Sequence, residues 1–449
     1  MPLFDFQTSA TLIVFACVIL LIAFDLIDIL LAGLLGVSTL IVLGVYTKDD
    51  MVIVSQMAGG PIALLFGGMV VARTLVPTGI FEQLGARFVI ATRGSGRRFL
   101  LGLVILVAPL CAVLPNATTV ILLAPVIIRA ATALEVDFVG PMILTAIISN
   151  SAGLLTLVGD PATFLVGSSI GMTFTQYLQK VSLGGLLALL VILPLMPWLM
   201  KDVWNVQRTL PDDIKVKPLE RPWFAAFAIL VLVVMVLLFI FGERFPGNIM
   251  PPGVSIIAAT LALLVIYAAK VEPLTNVLKD IDWRTIIFLT CLFCLVEAFS
   301  KTGILQNFSQ SLYTWFGTNL ILIALVILVG VGFTSSLLAN IPVVAAMLLM
   351  VKGYFVIAEL VPDLALDPLF TDWPKGVIPV FVAMMFSATL GGNATLIGAS
   401  ANVVSTGICA SKGKPVSFAT FMRLGVPFAL CQLIVSALYV LILFFFMRS

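Results

Sequence analysis

The chain has no histidine, and only 10% of its 449 residues are charged, where a soluble domain carries about 25%. The first absence removes the commonest imidazole metal ligand and general base. The second excludes an ordinary soluble domain. Lysine and arginine total 24 against 22 acidic residues, too small an excess to suggest a nucleic-acid partner. Six cysteines (Cys17, Cys111, Cys291, Cys294, Cys409, Cys431) lie in or beside apolar stretches. Cys291 and Cys294 form C-x-x-C without a second pair, so helix packing is a better reading than zinc. No ten-residue alternation of a membrane barrel is present. The opening Met1-Pro-Leu-Phe-Asp-Phe lacks the basic region of a signal peptide, so the first apolar run is expected to remain as a span.

What is present is apolar surface: 61% hydrophobic residues and a mean hydropathy of +1.21. Stretches of about 20 apolar residues, each long enough to cross a bilayer as a helix, recur along nearly the whole length. The expected class is an all-α polytopic membrane protein whose first partner is the lipid bilayer.

The chain repeats itself. Thr78-Gly79, after FGGMVVARTLVP, matches Thr302-Gly303 at an offset of 224, and the same offset carries Asn116 onto Asn340. Thr156-Leu-Val-Gly159 matches Thr395-Leu-Ile-Gly398 at an offset of 239, an acidic insert around 362–375 supplying the fifteen extra residues. Each half reads as three spans, an apolar hairpin and two further spans. The expected limits are 9–28, 29–46, 58–77, hairpin 99–131, 138–170 and 176–203, then 222–242, 251–270, 285–301, hairpin 319–352, 376–410 and 417–447. The first repeat is thus 1–203, the linker 204–221 and the second repeat 222–449. Hairpins of about 32 residues are too short for two full crossings, so they are expected to be re-entrant.

Five spans per half require the second half to be inverted. In that arrangement one side holds 16 of the 24 Lys/Arg residues, the other holds 7, and Arg73 lies within a span. The positive-inside rule makes the richer side cytoplasmic. It places the 201–221 linker inside, with both termini and the insert acids Asp363, Asp367 and Asp372 outside an inner (plasma) membrane. Inverted repeats are a hallmark of secondary transporters.

Four segments set polar residues and helix breakers within apolar surroundings. They are the hairpin tips Pro115-Asn116-Ala117-Thr118-Thr119 and Asn340-Ile341-Pro342, and the spans containing Ser149-Asn150 and Asn393-Ala-Thr395. Gly159, Pro161, Gly391, Gly392 and Gly398 permit an unwound turn there. A broken helix frees N–H groups that favour an anion and carbonyls that coordinate a cation. Other ionisable groups at membrane depth are Asp25, Asp28, Arg73 and Glu297, each costly there. Arg73 and Glu297, at equivalent repeat positions, are expected to pair; Asp25 and Asp28 are expected near an interface.

The motifs LPNATTVILLAP, ISNSAGLLTLVGDP and LGGNATLIGASANVV, with the paired Thr-Gly motif, resemble the ion-transporter superfamily. That superfamily includes the arsenite and P-protein permeases, citrate carriers and dicarboxylate/sodium symporters, and the likeness runs from about residue 10 to 445. It implies an elevator-type homodimer, with scaffold spans at 9–92 and 222–318 and transport parts at 99–203 and 319–449. Carried over by position, the implied substrate or ion ligands include Asn116, Thr118 and Asn340 at the tips. Thr156, Gly159, Asp160 and Thr163 belong to one loop, and Thr395, Gly398, Ser400 and Asn402 to the other. A sodium ion is expected near Asn116, Gly159, Asn340 and Gly398, or else proton coupling; no cofactor is expected. The chain departs from the family at Pro115, often Asp there, and at Ala162-Thr163, often Pro-Asn. Asp160, with Ala399 as its counterpart, reads equally as an N-cap or a titrating coupling residue.

The resulting expectation is a secondary active transporter of a small anion or oxyacid, of the inorganic oxyanion, arsenite or di/tricarboxylate class. Cation/proton antiport is the alternative, and no constellation suited to an enzyme is seen.

Overall fold

The computed structural model describes residues 6–23, 26–210, 216, 218–338, 340–366 and 370–447. Asp25, Asp367 and part of the linker, 211–215 and 217, lie outside the described residues. All regular structure among the described residues is helical.

Among the described residues, ten helices are long and apolar enough to cross a membrane. That number equals the expected number of spans, but the members differ. Phe6–Ile22, Ile29–Val42 and Val139–Leu155 are shorter, whereas the hairpin arms Asn116–Ala133, Leu320–Leu337 and Asn340–Ile357 each reach 18 residues. Eighteen residues rise about 27 Å, just under a hydrocarbon core of about 30 Å.

Boundaries move for local reasons. The third span starts at Lys48, ten residues before the expected 58, because Thr47 and Asp50 form a capping box that nucleates Lys48–Leu75. Asp28 ends the first connection by accepting from the Leu30 N–H at 2.9 Å and capping Ile29–Val42. The 176–203 segment divides into Phe174–Lys180, Ser182–Leu190 and Ile192–Leu199. After each third span the chain turns through a left-handed glycine, Gly79 at φ 74° and Gly303 at φ 72°. Such a φ suits glycine, which explains the repeated Thr-Gly. Each turn leads into a 13-residue helix absent from the sequence reading, Ile80–Thr92 and Ile304–Phe316.

Packing follows one scheme twice. Lys48–Leu75 lies along Pro251–Ala269, and Trp283–Lys301 along Ile29–Val42, so each third span leans on the other half's second span. Ile80–Thr92 packs on the hairpin arm Asn116–Ala133, as Ile304–Phe316 packs on Asn340–Ile357. The other arms, Gly96–Cys111 and Leu320–Leu337, pack on Val139–Ala152 and Ile378–Gly391. The short helices Pro161–Ser169 and Ser400–Ser411 then cross to the opposite hairpin, against Asn340–Ile357 and Asn116–Ala133 respectively.

The two third spans are bolted at both ends. Arg73, near the end of Lys48–Leu75, pairs with Glu272 at 3.0 Å and Asp280 at 2.7 Å, just before Trp283–Lys301. Lys301, ending Trp283–Lys301, pairs with Asp50 at 2.8 Å at the start of Lys48–Leu75. End meets start twice, so the two helices run antiparallel.

The expected Arg73–Glu297 pair is therefore corrected. Equivalent positions on antiparallel helices lie at opposite ends of the pair, and Glu297 is instead one helical turn before Lys301. A double-mutant cycle tests this. Arg73→Gln with Asp280→Asn should show a coupling of about 1 kcal/mol in unfolding midpoints, and Arg73→Gln with Glu297→Gln should be additive.

Candidate functional site

Two broken helices form the centre of the molecule. Val139–Ala152 passes through a 3-10 turn at Gly153–Leu155, becomes extended at Thr156 (φ −139°, ψ 158°) and restarts at Pro161. Ile378–Gly391 repeats this through Gly392–Ala394 and Thr395 (φ −131°, ψ 163°), restarting at Ser400. Proline at the first position of a helix costs nothing, because its missing N–H would be unpaired anyway. A Cβ on Gly159 would lie 2.6 Å from the Gly153 carbonyl oxygen, and one on Gly398 2.6 Å from that of Gly392. These glycines thus allow close backbone approach.

Each loop is tied to its own hairpin. The Thr156 hydroxyl donates to the Ala112 carbonyl and that of Thr395 to the Ser336 carbonyl. Both carbonyls end a hairpin arm, where helix carbonyls lack intrahelical partners. The two pairs keep the sequence offsets, 239 between the threonines and 224 between the carbonyls. Ser149 donates to the Asn116 carbonyl at 3.1 Å and accepts from the Cys111 thiol at 3.1 Å.

One polar cluster surrounds Asp160, which is 4% exposed. One carboxylate oxygen accepts from the Thr163 N–H at 3.2 Å and from the Thr163 and Thr389 hydroxyls at 3.3 Å each. The other accepts from the Asn340 amide at 3.4 Å. Loop one, hairpin two and broken helix two therefore meet on one carboxylate. No ion pair to Asp160 is present among the described residues. Beside it, the Asn116 amide nitrogen lies against Gly153, and its side-chain oxygen is buried without a hydrogen-bond partner among the described residues.

The second cluster is built from amides. Asn150 donates to the side-chain oxygens of Asn393 and Asn402, both at 3.0 Å. Asn393 donates to Ser151 at 3.1 Å and Gln432 at 2.9 Å, and Gln432 donates to Ser151 at 2.8 Å and the Ala188 carbonyl at 3.0 Å. Asn402 donates to the carbonyls of Gly392 and Thr395, both at 2.8 Å. Carbonyls only accept, so these contacts fix which amide atom is nitrogen.

The expected site residues thus divide between places. Asp160, Thr163 and Asn340 meet in the first cluster; Asn150, Asn393 and Asn402 meet in the second. Asn116, Ser149, Thr156, Gly159, Thr395 and Gly398 line the two loop–tip junctions. Ala117, Thr118, Ile341 and Pro342 are half-buried on the tips, Thr119 is buried and Ser400 is exposed. Sequence reasoning missed Thr389, Ser151 and Gln432. The offset of 239 maps Asn150 onto Thr389 and identifies the first of these; a glutamine inside the 30-residue apolar helix Phe418–Met447 was a signal for Gln432. Between the first tip and the scaffold, Gly68, Pro115, Gly159 and Ser255 line a crevice of about 10 Å³, room for roughly one water.

Among the described residues the body is all helical, with ten membrane-length helices and a buried polar centre at two helix breaks, the make-up of a polytopic membrane protein. The chain belongs to the citrate transporter family, whose model matches residues 19–371. An uncharacterized transporter of Synechocystis sp. is 40% identical, with 96% of each chain covered. An uncharacterized transporter of Mycobacterium tuberculosis is 30% identical over 96% of this chain and 97% of its own. The human P protein is 26% identical over 97% of this chain and 60% of its own. The chain is a transporter and not an enzyme.

Removing Asn150 strands the buried oxygens of Asn393 and Asn402. Asn150→Ala should lower stability by at least about 2 kcal/mol, read as a fall in unfolding midpoint. Ser400→Ala, at an exposed side chain, should stay within about 0.5 kcal/mol of the parent.

Proposed function

We propose that the chain is a secondary active transporter that couples a sodium ion or a proton to a small anion or oxyacid. Citrate, which its family's name carries, and with it the di- and tricarboxylates are the first to test, with inorganic oxyanions next. The carrying observation is Asp160: a buried carboxylate held by four neutral donors and no ion-paired cation. An isolated buried charge of this kind is very costly, so a coupling cation or proton supplies the compensation. The Gly153 and Cys111 carbonyls lie around Gly159; Asn116, whose amide nitrogen faces Gly153, would turn its oxygen, which has no partner among the described residues, to complete a cation's oxygen shell, and sodium fits such a donor set.

The anion has a different place. Asp160 caps the half-helix starting at Pro161, whereas Ala399 gives Ser400–Ser411 no side-chain cap. The start of the half-helix at Ser400 carries the positive end of a helix dipole at the second break. A carboxylate or oxyanion is favoured there and disfavoured beside Asp160.

The architecture supports alternating access by two inverted repeats. Antiparallel third spans, a packing scheme that occurs twice, and hairpins crossed by the opposite half's short helix are its marks. The ion-locked third spans serve as scaffold; the hairpins and broken helices, sharing the buried amide network, move as one body in an elevator step. Dimerisation through the scaffold and a cytoplasmic linker complete this reading. The same carboxylate favours cation/proton antiport as the second reading.

Thermal unfolding of the purified protein against citrate, succinate, phosphate and arsenate, with and without sodium at two pH values, tests this. A ligand at 100 times its Kd should add about 2.7 kcal/mol of stability. Asn116→Ala and Asp160→Asn should fold, insert and lose concentrative transport in proteoliposomes. Full transport by both variants overturns the site; a sodium response with no anion response moves the reading to antiport.

A further inference from the structure

The two halves place equivalent backbone around their breaks but fill it differently. At the offset of 239, Gly153 corresponds to Gly392, Thr156 to Thr395 and Thr163 to Asn402. In the first half the Thr163 hydroxyl turns to Asp160; no side chain among the described residues donates to the Gly153 or Thr156 carbonyl, and the Thr156 carbonyl accepts only the Gly159 backbone N–H at 3.3 Å. In the second half the Asn402 amide reaches back and donates to both corresponding carbonyls, Gly392 and Thr395, at 2.8 Å each. Its own oxygen is held by Asn150 at 3.0 Å, so the amide cannot rotate without breaking three bonds.

The hairpin tips diverge in the same sense. Asn116 stays beside its own loop, against Gly153. Its counterpart Asn340 donates across to Asp160 of the first half. The second loop thus lacks its tip amide oxygen, lacks a carboxylate because Ala399 replaces Asp160, and has two carbonyls already occupied by N–H groups. A cation competes with N–H donors for the same oxygens, and an NH₂ group directed at two carbonyls at once opposes its approach electrostatically.

We propose that the Asn402 amide plugs the second of two pseudo-symmetric cation sites, so that this transporter binds one coupling cation per cycle, in its first half. This rests on the reading of the first loop as the coupling site, but the plug can be tested separately.

The experiment measures thermal unfolding of the full chain in sodium chloride, with choline chloride keeping the ionic strength constant. Wild type, Asn116→Ala, Asp160→Asn, Asn402→Asp and Asn402→Thr are compared. Asn402→Asp sets a carboxylate oxygen against two carbonyls, an arrangement that a cation relieves; Asn402→Thr copies the first half and frees both carbonyls. Any wild-type sodium response should follow a single site, with a Hill coefficient of about 1, and should vanish in Asn116→Ala and Asp160→Asn. Asn402→Asp, or Asn402→Thr if the former does not fold, should gain a sodium response that survives addition of Asp160→Asn. The proposal is overturned if the wild-type response persists in Asp160→Asn and disappears in Asn402→Thr. It is also overturned if neither Asn402 variant, once folded, gains a response. A wild type indifferent to sodium counts against sodium coupling at the first site, and the Asn402 variants still decide the plug.

Discussion

Inside a bilayer each backbone N–H and C=O must find a partner within the protein, and this structure opens two helices at its centre. Everything around the breaks answers that requirement. Thr156 and Thr395 serve the carbonyls at the ends of the hairpin arms, and Asn402 serves two carbonyls of its own loop. The short half-helices cross to the opposite hairpin, so each break is covered by protein on both sides. A hairpin without its loop, or a loop without its hairpin, would leave polar backbone facing lipid.

The same requirement makes the asymmetry between the halves informative. Both loops share a backbone path and a threonine tether, so their differences lie in side chains alone. The first loop carries a carboxylate held by neutral donors; the second carries Asn402, part of an amide network that joins both halves through Asn150, Asn393, Ser151 and Gln432. A fully satisfied buried network stiffens its surroundings, whereas an uncompensated carboxylate calls for a mobile charge. The two loops thus pair a similar backbone path with different side-chain partners.

Outside this centre, ionic contacts are few and placed at helix ends. Arg73 with Glu272 and Asp280, and Lys301 with Asp50, fasten two antiparallel spans at points some 23 residues, or about 35 Å, apart along Lys48–Leu75. The contact lined by Gly68 and Pro115 joins Lys48–Leu75 to the first hairpin tip with only a water-sized crevice between them.

Sequence alone determined the membrane class, the matched motifs at offsets of 224 and 239 and the four segments where polarity meets helix breakers, because lipid permits so few reasons for Asn116, Asp160, Asn340 or Asn402 to lie in apolar runs. It also marked Thr78-Gly79 and Thr302-Gly303 without revealing that they are left-handed turns into amphipathic helices. Short helices of mixed polarity carry little signal beside spans of uniform hydrophobicity. Tertiary structure alone decided which polar groups meet. Asp160 takes Asn340 and Thr389 from the other half, Asn150 takes Asn402, and Arg73 takes Asp280 instead of Glu297. Those partners are 180 to 252 residues apart, and an offset between repeats identifies equivalent positions, not neighbours. In an antiparallel pair, equivalent residues lie at opposite ends, and only the packing of the two halves brings unlike residues into contact.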